Sequence, residues 1–465
     1  MVDTVRTWAN TGTDYNTGAN WIGNVVPDSL DTAQFLSSAS NLNVTFSLAS
    51  TTASLWNFDA LLANYNFAIG SGQSLTLTNG LTITSGEVQI DVAGSFFVTN
   101  GTLSTASIEL ASGALLQFGN QTTAGDAEII NNGSVIFSDS SSAGNANITN
   151  NSGQFLKFIV DADAGTSTID NNDYVQFYDT ASASGADITN KFLVQFFNSS
   201  TAGSSTINSS VSGSGIYFND QSTGGDSELI AASGAFVDFS TSTGVGGGGT
   251  ISAGSIAGDG DFYLGGLELT VGSNNLNTSV NGGIHDGGTG GGTGASLIKV
   301  GTGLLRLSGT NDYTGGTTID GGTVQVEAGS ALLGATQINS GGTLAGNGTV
   351  HAVNVAAGGT LSPGASAGQL HTDDLTFAAG AHFKAEIGGT TPGTEHDQLV
   401  VTGSVDLGWR HLGRPHQRLR SEQHSRTGIC RHHRQRRQFA PSPELRRPRS
   451  RRKVPHRRPL LHHRL

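Results

Sequence analysis

The chain has 465 residues, of which 67 are Gly and only 13% are charged, so helices have little raw material. Residues 409–465 hold 18 of the 24 Lys+Arg and only two acids, whereas residues 1–408 carry 6 basic against 34 acidic residues, a net of −28. That balance disfavours nucleic acid and anionic lipid as partners of the larger part, and with no cysteine before Cys430 it has no disulfide framework.

The opening residues lack the apolar core of about 7–15 residues that marks a signal peptide: Met1 is followed by Val2, Asp3, Thr4 and Val5. Residues 1–40 instead hold Trp8, Asn20, Trp21, Pro27 and the run Asp31 to Phe35, and are expected to form a Trp-containing N-terminal cap.

The second region, 41–296, is periodic. An aliphatic-x-Phe triplet recurs seven times, as Leu116/Phe118, Val135/Phe137, Leu156/Phe158, Val175/Phe177, Val194/Phe196, Ile216/Phe218 and Val237/Phe239. Copies lie 19 to 22 residues apart. Eleven residues after each of the first six Phe stands a second apolar marker: Ile129, Ile148, Ile169, Ile188, Ile207 and Leu229. Ile251 follows the seventh after twelve. A fixed period near 20 means a solenoid, in which each repeat buries its face against its neighbours.

The middle triplet residue is mostly polar (Gln117, Lys157, Gln176, Gln195, Asp238), which is the period-2 pattern of a half-buried strand. Turn-formers such as SSAGNANI and STAGSSTI separate the two markers. Leucine-rich repeats need several Leu and an Asn or Cys per repeat, and helical repeats tolerate far less Gly. The expected fold is all-β: a right-handed parallel β-helix of about 20-residue coils, with an ordinary β-sandwich as the alternative. Roughly 400 residues then give some 17 to 20 coils. The seven Phe should form one internal stack with a spacing of about 4.8 Å, and the Ile/Leu markers another. GGTGGGTG at 287–294 lacks the Asp of the calcium-binding nonapeptide and reads as a flexible loop.

The third region, 297–408, carries a motif. Residues 297–326 read LIKVGTGLLRLSGTNDYTGGTTIDGGTVQV, with Lys299, Gly301, Gly303, Leu305, Leu307, Gly309, Asn311, Tyr313, Thr314, Gly315, Gly316 and Thr317 in a Lys-x-Gly-x-Gly, strand, Asn-x-Tyr-Thr-Gly-Gly-Thr, strand order. This resembles the autotransporter-associated β-strand repeat. GGTLAGNGTV (341–350), GGTLSPGASAGQL (358–370) and HDQLVVTGSVDLG (396–408) resemble late coils of bacterial autotransporter passengers, and the opening Trp-containing run resembles their start. The resemblance implies a non-catalytic rod at the cell surface or secreted, associated with the outer membrane. Its role would be adhesion or surface display, and its partner a host or cell-surface ligand, glycan or protein. It also implies a membrane barrel that this sequence does not show.

Enzyme readings find little support in the residues. The one G-x-S-x-G match, Gly364 to Gly368 around Ser366, lies inside a late coil rather than between a strand and a helix. His285, His351, His371, His382 and His396 show no metal-type i, i+2 or i, i+4 pairing. For a lyase, Lys157 and Arg306 occupy outward strand positions. The pairs Asp161/Asp163 and Asp259/Asp261 offer oxygen ligands for calcium but read first as turn formers. No catalytic, cofactor or metal residue is assigned. A carbohydrate-active β-helix lyase or hydrolase is the runner-up function, to be recognised by acids and a basic or aromatic residue converging on stacked coils.

Residues 409–465 are basic and rich in Pro and His, expected to be disordered. They read either as a nucleic-acid or heparin arm or as a frameshifted translation. Trp409, Arg410 and His411 (TGG CGN CAY) slid by one base permit Gly-Ala-Thr, and Ile429 to Gln438 permit F-V-V-I-I-D-N-D-G.

Overall fold

Four-residue runs of alternating burial, such as Leu115–Phe118 and Glu128–Asn131, bury every second side chain. Each pairs in parallel with the equivalent run one coil later. Repeated along the chain, this gives a parallel β-solenoid of about 16 turns spaced about 21 residues, without α-helices. The computed structural model describes residues 4–408 apart from 10, 37–42 and 365. The expectations for 409–465 lie outside the described residues. The turns are fewer than the 17 to 20 expected because late coils are longer; Gln369 pairs with Gln398, 29 residues on.

Among the described residues the strands form four sheets, of 19, 12, 8 and 4 strands. The 12-stranded sheet runs from Ser50–Ala53 to Ile284–Asp286 and contains all seven triplets. Its seven Phe are fully buried, with successive ring centroids 4.4, 4.9, 4.8, 4.8, 4.9 and 5.0 Å apart. Neighbouring ring planes are tilted by 4° to 11°, so the rings form one offset column. The expected stack is therefore present at the spacing that parallel strands impose.

The 19-stranded sheet holds Ile129, Ile148, Ile169, Ile188, Ile207 and Leu229 in register. The next rung is Ile256, opposite Leu229, and not Ile251. The Gly-rich insertion before Thr250 lengthens this coil, so Ile251 starts the 8-stranded sheet instead, pairing with Leu269. A constant period holds only until an insertion resets it.

Two ladders accompany the apolar ones. Asn131, Asn150, Asn171 and Asn190 are fully buried beside the Ile column. Each side-chain amide donates to the next coil: Asn131 to Asn150 at 2.7 Å, Asn150 to Asn171 at 2.8 Å, Asn171 to Asn190 at 2.9 Å and Asn190 to Ser209 at 3.0 Å. Outside, two residues after each Phe, runs a column with left-handed backbone: Asn120, Asp139, Val160, Asp179, Asn198 and Asp220. The polar members accept the N–H of the preceding coil's residue, Asn120 N–H to Asp139 at 2.9 Å and Val160 N–H to Asp179 at 3.1 Å. Val160 breaks both rules. It is β-branched at φ 65°, 42% exposed, and offers Asp139 no acceptor. Val160→Asn is expected to stabilise the rod by about 1 kcal/mol, read as a higher midpoint in urea; an unchanged or lower midpoint would show that the valine is not strained.

At the N-terminal end Trp8, Tyr15, Trp21, Phe35 and Trp56 pack edge to face or tilted, with Trp8 and Trp21 centroids 5.0 Å apart. The Trp21 indole N–H donates to the Tyr15 carbonyl at 2.8 Å. The 287–294 segment departs from its expectation as a flexible loop. It lies across the outward side of the 12-stranded sheet, with Thr289 N–H donating to Asp238 at 2.9 Å and Gly290 N–H to the Ser240 hydroxyl at 2.8 Å. Asp238, expected to face solvent, is thereby left 2% exposed.

Candidate functional site

The late end of the 12-stranded sheet gathers the most chemistry. Phe262 pairs with Ile284 and both point inward, so the alternate residues Asp261, Tyr263 and His285 point outward on adjacent coils. A bridge from Ile284 to Asn311 brings Asp312 beside His285. His285 Nδ1 lies 2.8 Å from the Asp312 carboxylate and Nε2 3.4 Å from that of Asp261. The Tyr263 ring stacks on the imidazole, centroids 5.4 Å apart. Together with Asn281, Gly282, Asp286 and Thr310 they line an open cleft of about 570 Å³. Its floor needs glycine: a Cβ on Gly309 would lie 1.2 Å from the Gly282 carbonyl oxygen.

The electrostatics follow from this crowding. Partial burial pushes the Tyr263 hydroxyl up, and Asp261, Asp238 and Asp312 push the same way. At Asp286 burial favours the neutral acid, but hydrogen bonds from Thr314, Gly294 and Ala295 outweigh it and hold the carboxyl below its ordinary range. Both nitrogens of His285 already face carboxylates, so neither offers a free lone pair to a substrate proton. The arrangement suits holding three coils together and presenting an acidic, aromatic surface. It lacks a poised nucleophile–base pair.

Residues singled out in sequence are scattered around the rod. Ser366 is exposed; Gly368 N–H donates to Asp397 at 3.0 Å, and among the described residues no histidine bonds the Ser366 hydroxyl. His351 pairs with Asp373 at 2.9 Å, and His396 Nδ1 lies 3.2 Å from the Gly389 carbonyl. His371 and His382 sit on strands of two different sheets. Lys157 lies 4.8 Å over the Phe155 ring and Arg306 pairs with Glu327 at 3.4 Å, both facing outward as expected. Each acid pair is tied to neighbouring coils: Thr180 donates to Asp161, Ser142 to Asp163 at 2.7 Å and Asn281 to Asp259 at 2.7 Å. The Asp261–His285–Asp312 cluster was missed because it spans separations of 24 and 27 residues. Counting one coil on from Asp261 would have found it.

Next to the cleft, the 297–326 motif explains itself residue by residue. Lys299 is 1% exposed, and its ammonium donates to the Val300 carbonyl at 2.6 Å. Desolvation lowers its pKa from the ordinary lysine value. Gly301 has φ 67°, and a Cβ there would sit 2.1 Å from the Gly272 carbonyl oxygen of the preceding coil. Asn311 donates to Ser330 at 2.9 Å on the next coil, Tyr313 fills the core with its hydroxyl 2.6 Å from that of Thr317, and Thr314 donates to Asp286 at 2.7 Å.

The family model described as the passenger-associated transport repeat matches residues 297–326. This segment is an autotransporter passenger repeat. The repeat lies within the same stack of coils as the Phe column, sharing the 19-stranded sheet. An extracellular serine protease of Serratia marcescens is 36% identical over 92 residues, 20% of this chain and 9% of that protein. The adhesin BmaC autotransporter of Brucella suis biovar 1 (strain 1330) is 36% identical over 121 residues, 24% of this chain and 3% of that protein. The chain thus covers under a tenth of either relative. No solved structure matches it.

Proposed function

We propose that this chain is a non-catalytic autotransporter-type passenger, held at the cell surface or secreted, whose solenoid serves adhesion or display toward a glycan or protein ligand. The observation that carries the reading is the passenger repeat built into an uninterrupted solenoid. The likeness to an adhesin supports it. So does the acidic exterior, which disfavours nucleic acid. The likeness to a serine protease covers 9% of that protein, and Ser366 has no histidine partner among the described residues.

Beads coated with the purified full chain are expected to adhere to cultured host cells or to one another, while the same protein leaves peptide, ester and polyuronate substrates intact. Turnover abolished by Ser366→Ala, or by Asp312→Asn in the cleft, would replace adhesion with catalysis. Failure of the beads to adhere to any surface tested would remove the adhesin reading.

A further inference from the structure

The two ends of the solenoid are unlike. At the N-terminal end Trp8, Tyr15 and Trp21 are buried over the first coils. At the other end the last described coil stands open. His382–Phe383 pairs only with Thr360 and Leu361, Gln398–Val401 only with Gln369–Thr372, and Val405–Asp406 only with Leu375 and Thr376. Phe383 lies opposite Leu361 and Val405 opposite Leu375, so both hold core positions. Leu361 and Leu375 are buried, whereas Phe383 and Val405 are 52% and 53% exposed. Three unpaired strand edges over half-exposed core residues are the seat of another coil.

We propose that the coils filling this seat are encoded by the same DNA as residues 409–465, read one base later. The composition changes abruptly at Gly408, just after the last strand of the open coil. Beyond it stand 18 of the 24 Lys+Arg and eight of the 13 His. An Arg codon of the CGN type, read one base on, begins GN and specifies Val, Ala, Asp, Glu or Gly. A His codon, CAY, begins AY and specifies Ile, Thr or Met. The basic segment therefore becomes an acidic, aliphatic, Gly-containing one, the composition of residues 1–408. Trp409, Arg410 and His411 become a string that permits Gly-Ala-Thr. Ile429 to Gln438 permit Phe-Val-Val-Ile-Ile followed by Asp-Asn-Asp-Gly, an apolar strand ending in a turn signal. Such a strand fits an open parallel edge; a run of Arg and Pro does not.

The test has two arms. The protein is isolated from its native source and its C-terminal peptides are read by mass spectrometry. Peptides joining Gly408 to the one-base-later reading are expected. Peptides of the basic reading, such as Ser421 to Arg426, would overturn the proposal. In the second arm the full chain and a chain with the base removed after codon 408 are compared by hydrogen exchange. Amides of Leu399 to Val401 should exchange at least roughly tenfold more slowly in the restored chain. Equal rates would show that the restored residues do not cover the open coil.

Discussion

Phe177→Ala is expected to destabilise the rod by about 3–5 kcal/mol. Phe177 sits mid-column, 4.8 Å from Phe158 and 4.8 Å from Phe196, with no exposed surface. Its removal leaves a ring-sized cavity that the neighbours cannot close, because parallel pairing on both sides fixes their separation. In a solenoid, stability is a chain of nearest-neighbour terms, so a weak coil at the centre also uncouples the halves. The variant should show two transitions in calorimetry, with hydrogen exchange fastest near residues 174–196. A loss below about 1 kcal/mol, with a single transition retained, would mean that the column is not a continuous stabilising element.

How much of this was readable in the sequence depends on the residue. The Phe column was legible because an inward aromatic every 19 to 22 residues has no other economical use, and parallel stacking fixes its spacing. Lys299, Asn311 and Tyr313 were legible as a motif, but their roles as carbonyl clamp, inter-coil tie and core filler needed coordinates. Ile251 was misplaced because seven extra residues in a Gly-rich turn are invisible to a count that assumes a constant period. Asp238 was misread as solvent-facing because alternation reports the sheet face, not what later folds over it. The Asp261–His285–Asp312 cluster lay in plain view, but its members are neighbours only across coils whose lengths differ.

Asn171 shows the same limit and gives the second large effect. In sequence the residue two after each Ile marker looks like a turn former; in the structure it is a buried ladder whose amides run from coil to coil. Asn171 donates to Asn190, to the Leu193 carbonyl at 3.2 Å and to the Asp173 carbonyl at 2.6 Å, and accepts from Asn150 and from the Asp173 N–H at 3.2 Å. Asn171→Ala leaves several of these buried groups short of a partner and is expected to cost about 2–3 kcal/mol. Asn171→Asp is nearly isosteric, yet at neutral pH it sets a carboxylate against the Asn190 oxygen and two carbonyls that need donors. It should therefore destabilise more than alanine at pH 7. Its folded-state pKa would be raised above the unfolded value of about 3.9, because only the protonated form can donate. Stability relative to the parent chain should then recover as pH falls through that raised pKa and be lost again as pH rises through it. Urea midpoints of both variants and the parent at pH 7 and pH 4 measure this. An aspartate variant whose deficit is the same at both pH values would show that the ladder's donors do not face buried acceptors.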